Sequence, residues 1–346
     1  MVGAANVVIA LIHTVCGVGA AGSECMDSRE VASSNRRAAV QELFGVRPAT
    51  RPWSLPLDRW GGVLALVPGL VFLSLFLVAP LVLSFSYSLR PSKLLPPGTP
   101  SPSMANYLYL AGHGVYVDAF VRTLRLSCYV VLGALILGYP TALVLRRLHA
   151  RFGSTLILGL SFPILAGPLV IVMGWMLLLP RNGPLNHVLM GLGLVGRPIQ
   201  FVGTEAGVIL ALVQFTLAFA VLNIFNSLLR IDPSLTEAAS SLGASPLRAF
   251  WHVTWPLSLP GVFSASVLAF ALAAGAFMAP YYLGGDTLLV ATTLVTQFML
   301  TAFNWELASA AAVVLVVLSL VLIFAYSAVI VRVIERRFGS HVRGAG

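Results

Sequence analysis

The sequence predicts an all-α membrane protein with about six transmembrane helices, and three observations carry that expectation. First, the mean hydropathy is +0.92. Second, apolar residues make up 58% of the 346 residues and charged residues only 10%. A soluble domain carries about 25% charged residues, so this chain lacks the polar surface to cover a water-facing body. Third, the chain contains six separate stretches long enough to cross a bilayer, which takes roughly 20 mostly apolar residues. A soluble enzyme, a disordered chain, a collagen and a disulfide scaffold are all excluded. Cys16, Cys25 and Cys128 show neither CxxC nor metal-ligand spacing, so no zinc or disulfide framework is expected.

In chain order, residues 1–60 form a segment of their own. Residues 1–22 are small and apolar but have no basic n-region, a poor match to a secretory signal. Residues 23–60 are polar and arginine-rich, and Met26 opens them. This favours translation starting near Met26, with residues 1–25 outside the mature chain. The other reading is a seventh span, which would put the N-terminus outside. The six stretches follow at about 61–87, 119–145, 154–179, 205–228, 258–283 and 306–332. Together they make a transmembrane domain over 61–338, with a short tail at 339–346. Pro68, Pro80, Pro140, Pro163, Pro168 and Pro280 lie in or near them. Such prolines read as kinks, because neighbouring helices re-satisfy the freed carbonyls.

Basic residues set the orientation. With six spans, 15 of the 21 Lys and Arg fall on the side of the 1–60 segment, RRLHAR at 146–151, the 229–257 loop and the tail. The other side holds Arg90, Lys93, Arg122, Arg125, Arg181 and Arg197. The first side is therefore expected to be cytoplasmic, with both termini there. The net charge of +9 belongs to this asymmetry and implies no nucleic-acid partner. The outer loops, about 88–118, 180–204 and 284–305, are rich in Gly, Pro and aromatics. LLPPGTPSPS in the first reads as irregular and turn-rich.

Little in the chain suits catalysis. Its histidines are scattered, and neither HExxH nor GxSxG occurs. Lys93, the sole lysine, lies in PSKLLPPG, so there is no GxxxxGK[ST] phosphate loop. Any nucleotide hydrolysis must come from another chain, and neither cofactor nor metal is expected. Asp118, Glu205, Asp286 and Glu306 sit at outer span ends, and no carboxylate lies mid-span. A stand-alone secondary transporter or channel is the alternative reading. It fits less well, because proton-coupled carriers usually keep an ionisable group inside the membrane.

The informative segment is the loop LLRIDPSLTEAASSLGASPLRAFWHVTWPLSLPG between spans four and five. Ser234 with Glu237 is a capping-box pattern, and Pro233 suits a helix start. Leu235, Ala238, Ala239 and Leu242 recur at i, i+3, i+4 and i+7 as one apolar face. Gly243 can take the left-handed conformation that ends a helix. Ser245-Pro246 then opens a second helix, with Leu247, Phe250, Trp251 and Thr254 on its face and Pro256 as its stop. The expectation is two short helices meeting at a glycine elbow.

EAASSLGASPLRAFWHVTWP resembles the EAA loop of permease subunits in bacterial binding-protein-dependent ABC importers. That pattern is EAA, three residues, Gly, nine residues, then Ile-x-Leu-Pro. Glu237, Ala238, Ala239, Gly243 and Pro256 fall at matching places, Val253 stands for the Ile, and Trp255 departs from the Leu. TLRLS at 123–127 also looks like the start of the family's transport domain. WMLLLPRNGPLN at 175–186, FMAPYYLGG at 277–285 and LVTQFMLTAFNW at 294–305 resemble the spermidine/putrescine-type branch.

The resemblance implies a type I ABC importer permease fold in a bacterial inner membrane, with a cytoplasmic two-helix coupling loop. It implies an ABC ATPase dimer below, a second permease subunit beside, and a periplasmic or lipid-anchored solute-binding protein outside. The solute is then a small molecule, with polyamine the favoured class. Glu237, Ala238, Ala239, Gly243, Arg248 and Pro256 become the ATPase-coupling residues. For Glu237, a capping role and direct ATPase contact both stand. Arg248 reads either as a partner for acidic ATPase groups or as a solvated side chain. A cationic solute would favour carboxylates and aromatic faces, which selects Tyr281, Tyr282, Asp286, Trp305 and Glu306 for the substrate path. The other reading of these residues is interfacial anchoring.

Overall fold

The computed structural model describes residues 59–95 and 101–338. The expectations for residues 1–58, including the Met26 start and the seventh span, lie outside the described residues, as does the tail at 339–346. Every regular element among the described residues is helical. Helix α1 (Arg59–Leu73) runs through a π-turn at Ser74–Val78 into α2 (Ala79–Ser88). There follow α3 (Ala105–Gly112), α4 (Gly114–Leu178), α5 (Pro184–Gly191) and α6 (Glu205–Leu229). Next come α7 (Pro233–Ser241), α8 (Pro246–Ala249), α9 (Trp255–Ala274), α10 (Met278–Gly284), α11 (Ala291–Thr296) and α12 (Trp305–Phe338). The chain divides into two units between Phe72 and Leu73. The first contributes residues 59–72 of α1 among those described, and the second holds the rest. Six helical stretches are long and apolar enough to cross a membrane: Leu66–Ser88, Gly114–His149, Thr155–Leu178, Glu205–Leu229, Pro246–Ala274 and Trp305–Val329.

Spans two and three belong to one helical run. A straight helix of the 65 residues of α4 would extend roughly 100 Å. Instead Val172 and Leu179 share a buried cluster with Leu126 and Val130, while Leu145 shares another with Leu156, Ile157 and Leu160. The chain therefore folds back between Leu145 and Leu156. RRLHAR, read from sequence as a loop, is helical. The His149 ring occupies the place of a Gly153 side chain, 2.4 Å from where a Cβ would stand. Gly167, just before Pro168 in the same helical run, has φ +77°.

Small residues lie at the closest helix contacts, as expected where helices associate in lipid and close backbone approach replaces the hydrophobic drive. Ala134, Ala142, Ala220, Ala265 and Ala269 are buried where α4, α6 and α9 meet. Gly133 lies so close to Val213 that an added Cβ would stand 2.8 Å from its Cγ2. Gly261 on α9 meets Ser227 on α6 more tightly still, at 2.3 Å from an added Cβ to the Ser227 Cβ.

Two of the loops expected outside contain more structure than their composition implies. In the first, α3 forms, and buried Asn106 staples the chain: its Nδ2 donates to the Ser88 and Arg90 carbonyls at 2.8 and 2.6 Å, and its Oδ1 accepts from the Ser92 N–H at 3.2 Å. In the second, buried Asn186 donates to the Pro180 and Ile199 carbonyls at 3.1 and 2.9 Å and accepts from the Ile199 N–H at 2.9 Å. Span five also differs from expectation. It begins at Pro246 and ends at Ala274, where Gly275 caps it, and α10 is a separate helix.

Candidate coupling site

The 229–257 segment is seated by span two. The Arg146 Nη2 donates to the Ile231 carbonyl at 3.1 Å, fixing the chain as it leaves α6. Asp232 then caps α7 by accepting from the Ser234 N–H at 2.9 Å, with Pro233 in the first turn. This corrects the capping-box expectation. The helix starts two residues early because Pro233 supplies the first helical φ, so Ser234 lies inside the helix and Glu237 in its second turn. The Glu237 carboxylate is exposed and makes no hydrogen bond among the described residues. The Ser234 N–H holds the Asp232 carboxyl below its ordinary value, because the bond favours the charged form.

The elbow forms as the glycine predicts. Gly243 has φ +83°. Its N–H donates to the Ser240 carbonyl at 2.9 Å, and the Ala244 N–H reaches back to the Ala239 carbonyl at 3.0 Å. This pair is the Schellman closure, which satisfies carbonyls that the helix end would orphan. Ser245 then caps α8, its Oγ accepting from the Arg248 N–H at 3.4 Å. Pro256 does not end this second helix. A π-turn at Phe250–Thr254, closed by the Trp255 N–H on the Phe250 carbonyl, carries α8 into α9. The wider turn receives the pyrrolidine ring that a regular α-turn would exclude. The elbow is therefore continuous with span five.

Aromatic packing anchors the elbow to span two. Tyr139 of span two meets Trp255 at 5.0 Å and Phe250 at 6.0 Å between ring centroids. Its hydroxyl pairs with the Ser258 Oγ at 2.9 Å. Tyr139 and Arg146 were not legible as part of this site: they lie about 100 residues upstream, in a span whose pattern announces only apolarity. The expected apolar face of the second helix divides. Phe250 and Thr254 turn inward, while Leu247 and Trp251 are exposed. On α7, Leu235 and Ala238 are exposed, Ala239 is half-covered, and Leu242 is 89% exposed. Arg248 is exposed on the same elbow. One chain thus presents a rigid, capped elbow with uncovered leucines and a tryptophan, beside a free carboxylate and a guanidinium.

The other sequence-selected residues fall into two places. Tyr281 and Tyr282 lie on α10. Tyr281 is exposed, with its ring 5.0 Å from that of Phe277, and Tyr282 packs on the Leu126–Val130–Val208 cluster. Asp286 belongs to the short turn Gly285–Thr287, and its side chain lies outside the described ones. Trp305, exposed, and Glu306, half-buried, open α12 behind the cap formed by the Asn304 Oδ1 on the Leu307 N–H at 3.1 Å. That helix start belongs to a different cluster, with Leu110, Phe120 and Phe298. Glu205, at the start of α6, pairs with both Arg125 and Arg122. Arg122 also donates to the Leu289 carbonyl at 3.3 Å.

Comparison with known proteins agrees with this arrangement. A family model described as the inner membrane component of binding-protein-dependent transport systems matches residues 130–339. The spermidine/putrescine transport system permease protein PotB of Haemophilus influenzae is 30% identical over 212 residues, covering 61% of this chain and 74% of that protein. PotB of Escherichia coli is 30% identical over 213 residues, covering 61% and 77%. The molybdenum transport system permease protein ModB of Azotobacter vinelandii is 30% identical over 164 residues, covering 47% and 71%. In fold, the chain resembles a crystal structure of a bacterial ABC transporter that imports alginate, with TM-score 0.63 at 18% identity over 81% of this chain and 96% of that one. With the family model spanning more than half of the chain and the EAA elbow folded as its spacing implies, this chain belongs to the inner-membrane components of binding-protein-dependent transport systems and is a multi-pass permease subunit of an ABC importer, of the polyamine-type branch.

Proposed function

We propose that this chain and a second permease subunit form the inner-membrane path by which an ABC importer takes up a polyamine, of the spermidine/putrescine class, or a similar small organic solute. A separate ABC ATPase dimer drives the cycle by seating on the α7–α8 elbow, and a periplasmic or lipid-anchored solute-binding protein delivers the solute outside. Both termini lie in the cytoplasm, with residues 61–338 as the permease domain. The single observation that carries this reading is the elbow itself, capped at Asp232, Gly243 and Ser245 yet leaving Leu242, Leu247 and Trp251 uncovered. Exposed apolar side chains on an ordered cytoplasmic loop mark a protein interface. Glu237 and Arg248 supply its polar contacts, while Ala238 and Ala239 allow close approach.

Named relatives of this chain are spermidine/putrescine permeases, which supports the solute class. Glu205 adds nothing to a cation site, since two arginines already neutralise it. Tyr281, Tyr282, Asp286, Trp305 and Glu306 remain the outer residues proposed to meet a cation.

The test uses co-expression with the ATPase, the second permease and the binding protein. The parent complex should take up radiolabelled spermidine and hydrolyse ATP in response to loaded binding protein. This chain purified alone should hydrolyse none. Leu242→Asp should leave membrane insertion intact and abolish ATPase co-purification. Robust hydrolysis by the isolated chain, or normal co-purification of Leu242→Asp, would overturn the reading.

A further inference from the structure

A cleft of about 540 Å³ opens at the inner ends of α6 and α9, where Gly261 brings the two helices into contact at Ser227. Asn223, Asn226, Ser227, Arg230, Asp232 and Ser264 line it. Asn223 and Asn226 lie about 9 and 5 Å from the inner end of α6, at 1.5 Å per residue. Polar side chains at that depth are costly against lipid, so this face meets either water or protein.

Part of the polar lining is already paired. The Asn223 Nδ2 donates to the Phe219 carbonyl at 2.8 Å, and its Oδ1 accepts from the Ser264 hydroxyl at 3.4 Å. The Asn226 amide, the Ser227 hydroxyl and the Arg230 guanidinium have no hydrogen-bond partner among the described residues. Arg230 and Asp232 bring opposite charges to the rim, leaving the cleft without net formal charge.

We infer that this cleft is a solute-release subsite at the cytoplasmic end of the path. Resting on the permease reading above, it takes a small polar solute through carboxamide and hydroxyl groups that replace the solute's water shell. A neutral, half-open surface suits a last stop, because passage requires contacts strong enough to admit the solute and weak enough to let it go. The subsite is distinct from the outer aromatic residues and needs no covalent step.

The test labels the cleft from the cytoplasmic side. In the whole transporter, Cys16, Cys25 and Cys128 are replaced by Ser, and single cysteines are introduced as Asn226→Cys, Ser264→Cys and, on the apolar outer surface, Leu132→Cys. Inside-out vesicles are treated with the impermeant 2-(trimethylammonium)ethyl methanethiosulfonate. The complexes are then reconstituted for radiolabelled spermidine uptake. Because only a water-exposed thiolate reacts, labelling at positions 226 and 264 should exceed that at 132 by about tenfold or more, and uptake should be lost after labelling. Unreactive cysteines at both cleft positions, as expected if the second permease seals the face, would overturn the subsite, and so would labelling that leaves uptake intact. If the unlabelled cysteine-free transporter fails to take up spermidine, the proposed solute is refuted, while the labelling pattern still decides the cleft.

Discussion

Gly243 offers a clean perturbation because its surroundings exclude a steric confound. Its φ is +83°, and nothing lies within 4 Å of the position a Cβ would occupy. A side chain there meets open space, so the whole cost is backbone strain. For a residue with a Cβ, the left-handed region costs roughly 1–2 kcal/mol, and Asn tolerates it better. That cost shifts the elbow between its closed and open forms by about 5- to 30-fold. A β-branched residue resists the region most. Uptake by Gly243→Asn should therefore stay near that of the parent, with Gly243→Ala lower and Gly243→Val lowest. Membrane insertion should be equal in all of them, since the spans are untouched. Radiolabelled spermidine uptake and ATPase co-purification from the same membranes measure the series. Gly243→Val at the parental rate, or an order unrelated to left-handed tolerance, would refute the view that the Schellman closure couples the ATPase to span five.

Gly261→Ala should lower the thermal stability of the solubilised protein, because overpacking of a tight contact costs about 1–3 kcal/mol. Ser227→Gly in the same chain should restore it by removing the opposing Cβ, and failure of that rescue would show that the α6–α9 crossing is not the cause. Reporter fusions after Arg151 and after Gly285 should report inside and outside respectively; the reverse pattern would invert the topology. Asp232→Ala should speed hydrogen exchange across residues 233–241, whereas Asp232→Asn, still able to cap, should not. The sign with pH follows from the lowered Asp232 pKa. Its capping contribution is complete above the ordinary carboxylate range and is lost as pH falls through the lowered value. Protection corrected for intrinsic rates should therefore decline only on strong acidification.

Local chemistry explains what was legible. Span count follows from hydropathy, since a helix of about 20 apolar residues is recognisable wherever it occurs. The elbow follows from residues adjacent in sequence: Pro233, Gly243 and Ser245 each act on the backbone within three positions. The cap at Asp232 was missed although it is equally local, because a Ser followed three residues later by Glu outcompeted an Asp before a Pro. Pro256 misled as a stop, because the π-turn at Phe250–Thr254 carries the helix past it.

The sequence by itself determined the class of protein, its six apolar crossings and the rigid elbow, because each depends on composition or on neighbours a few residues apart. Tertiary structure alone decided the seat of the elbow on Tyr139 and Arg146, the engagement of Glu205 by two arginines, and the polar cleft beside Gly261. Each of these joins residues from different spans. In a chain with small residues and apolar faces throughout, periodicity does not tell which helix lies against which. That choice is made by backbone approach at positions such as Gly133 and Gly261, where the absence of a Cβ lets one helix pack against one particular neighbour.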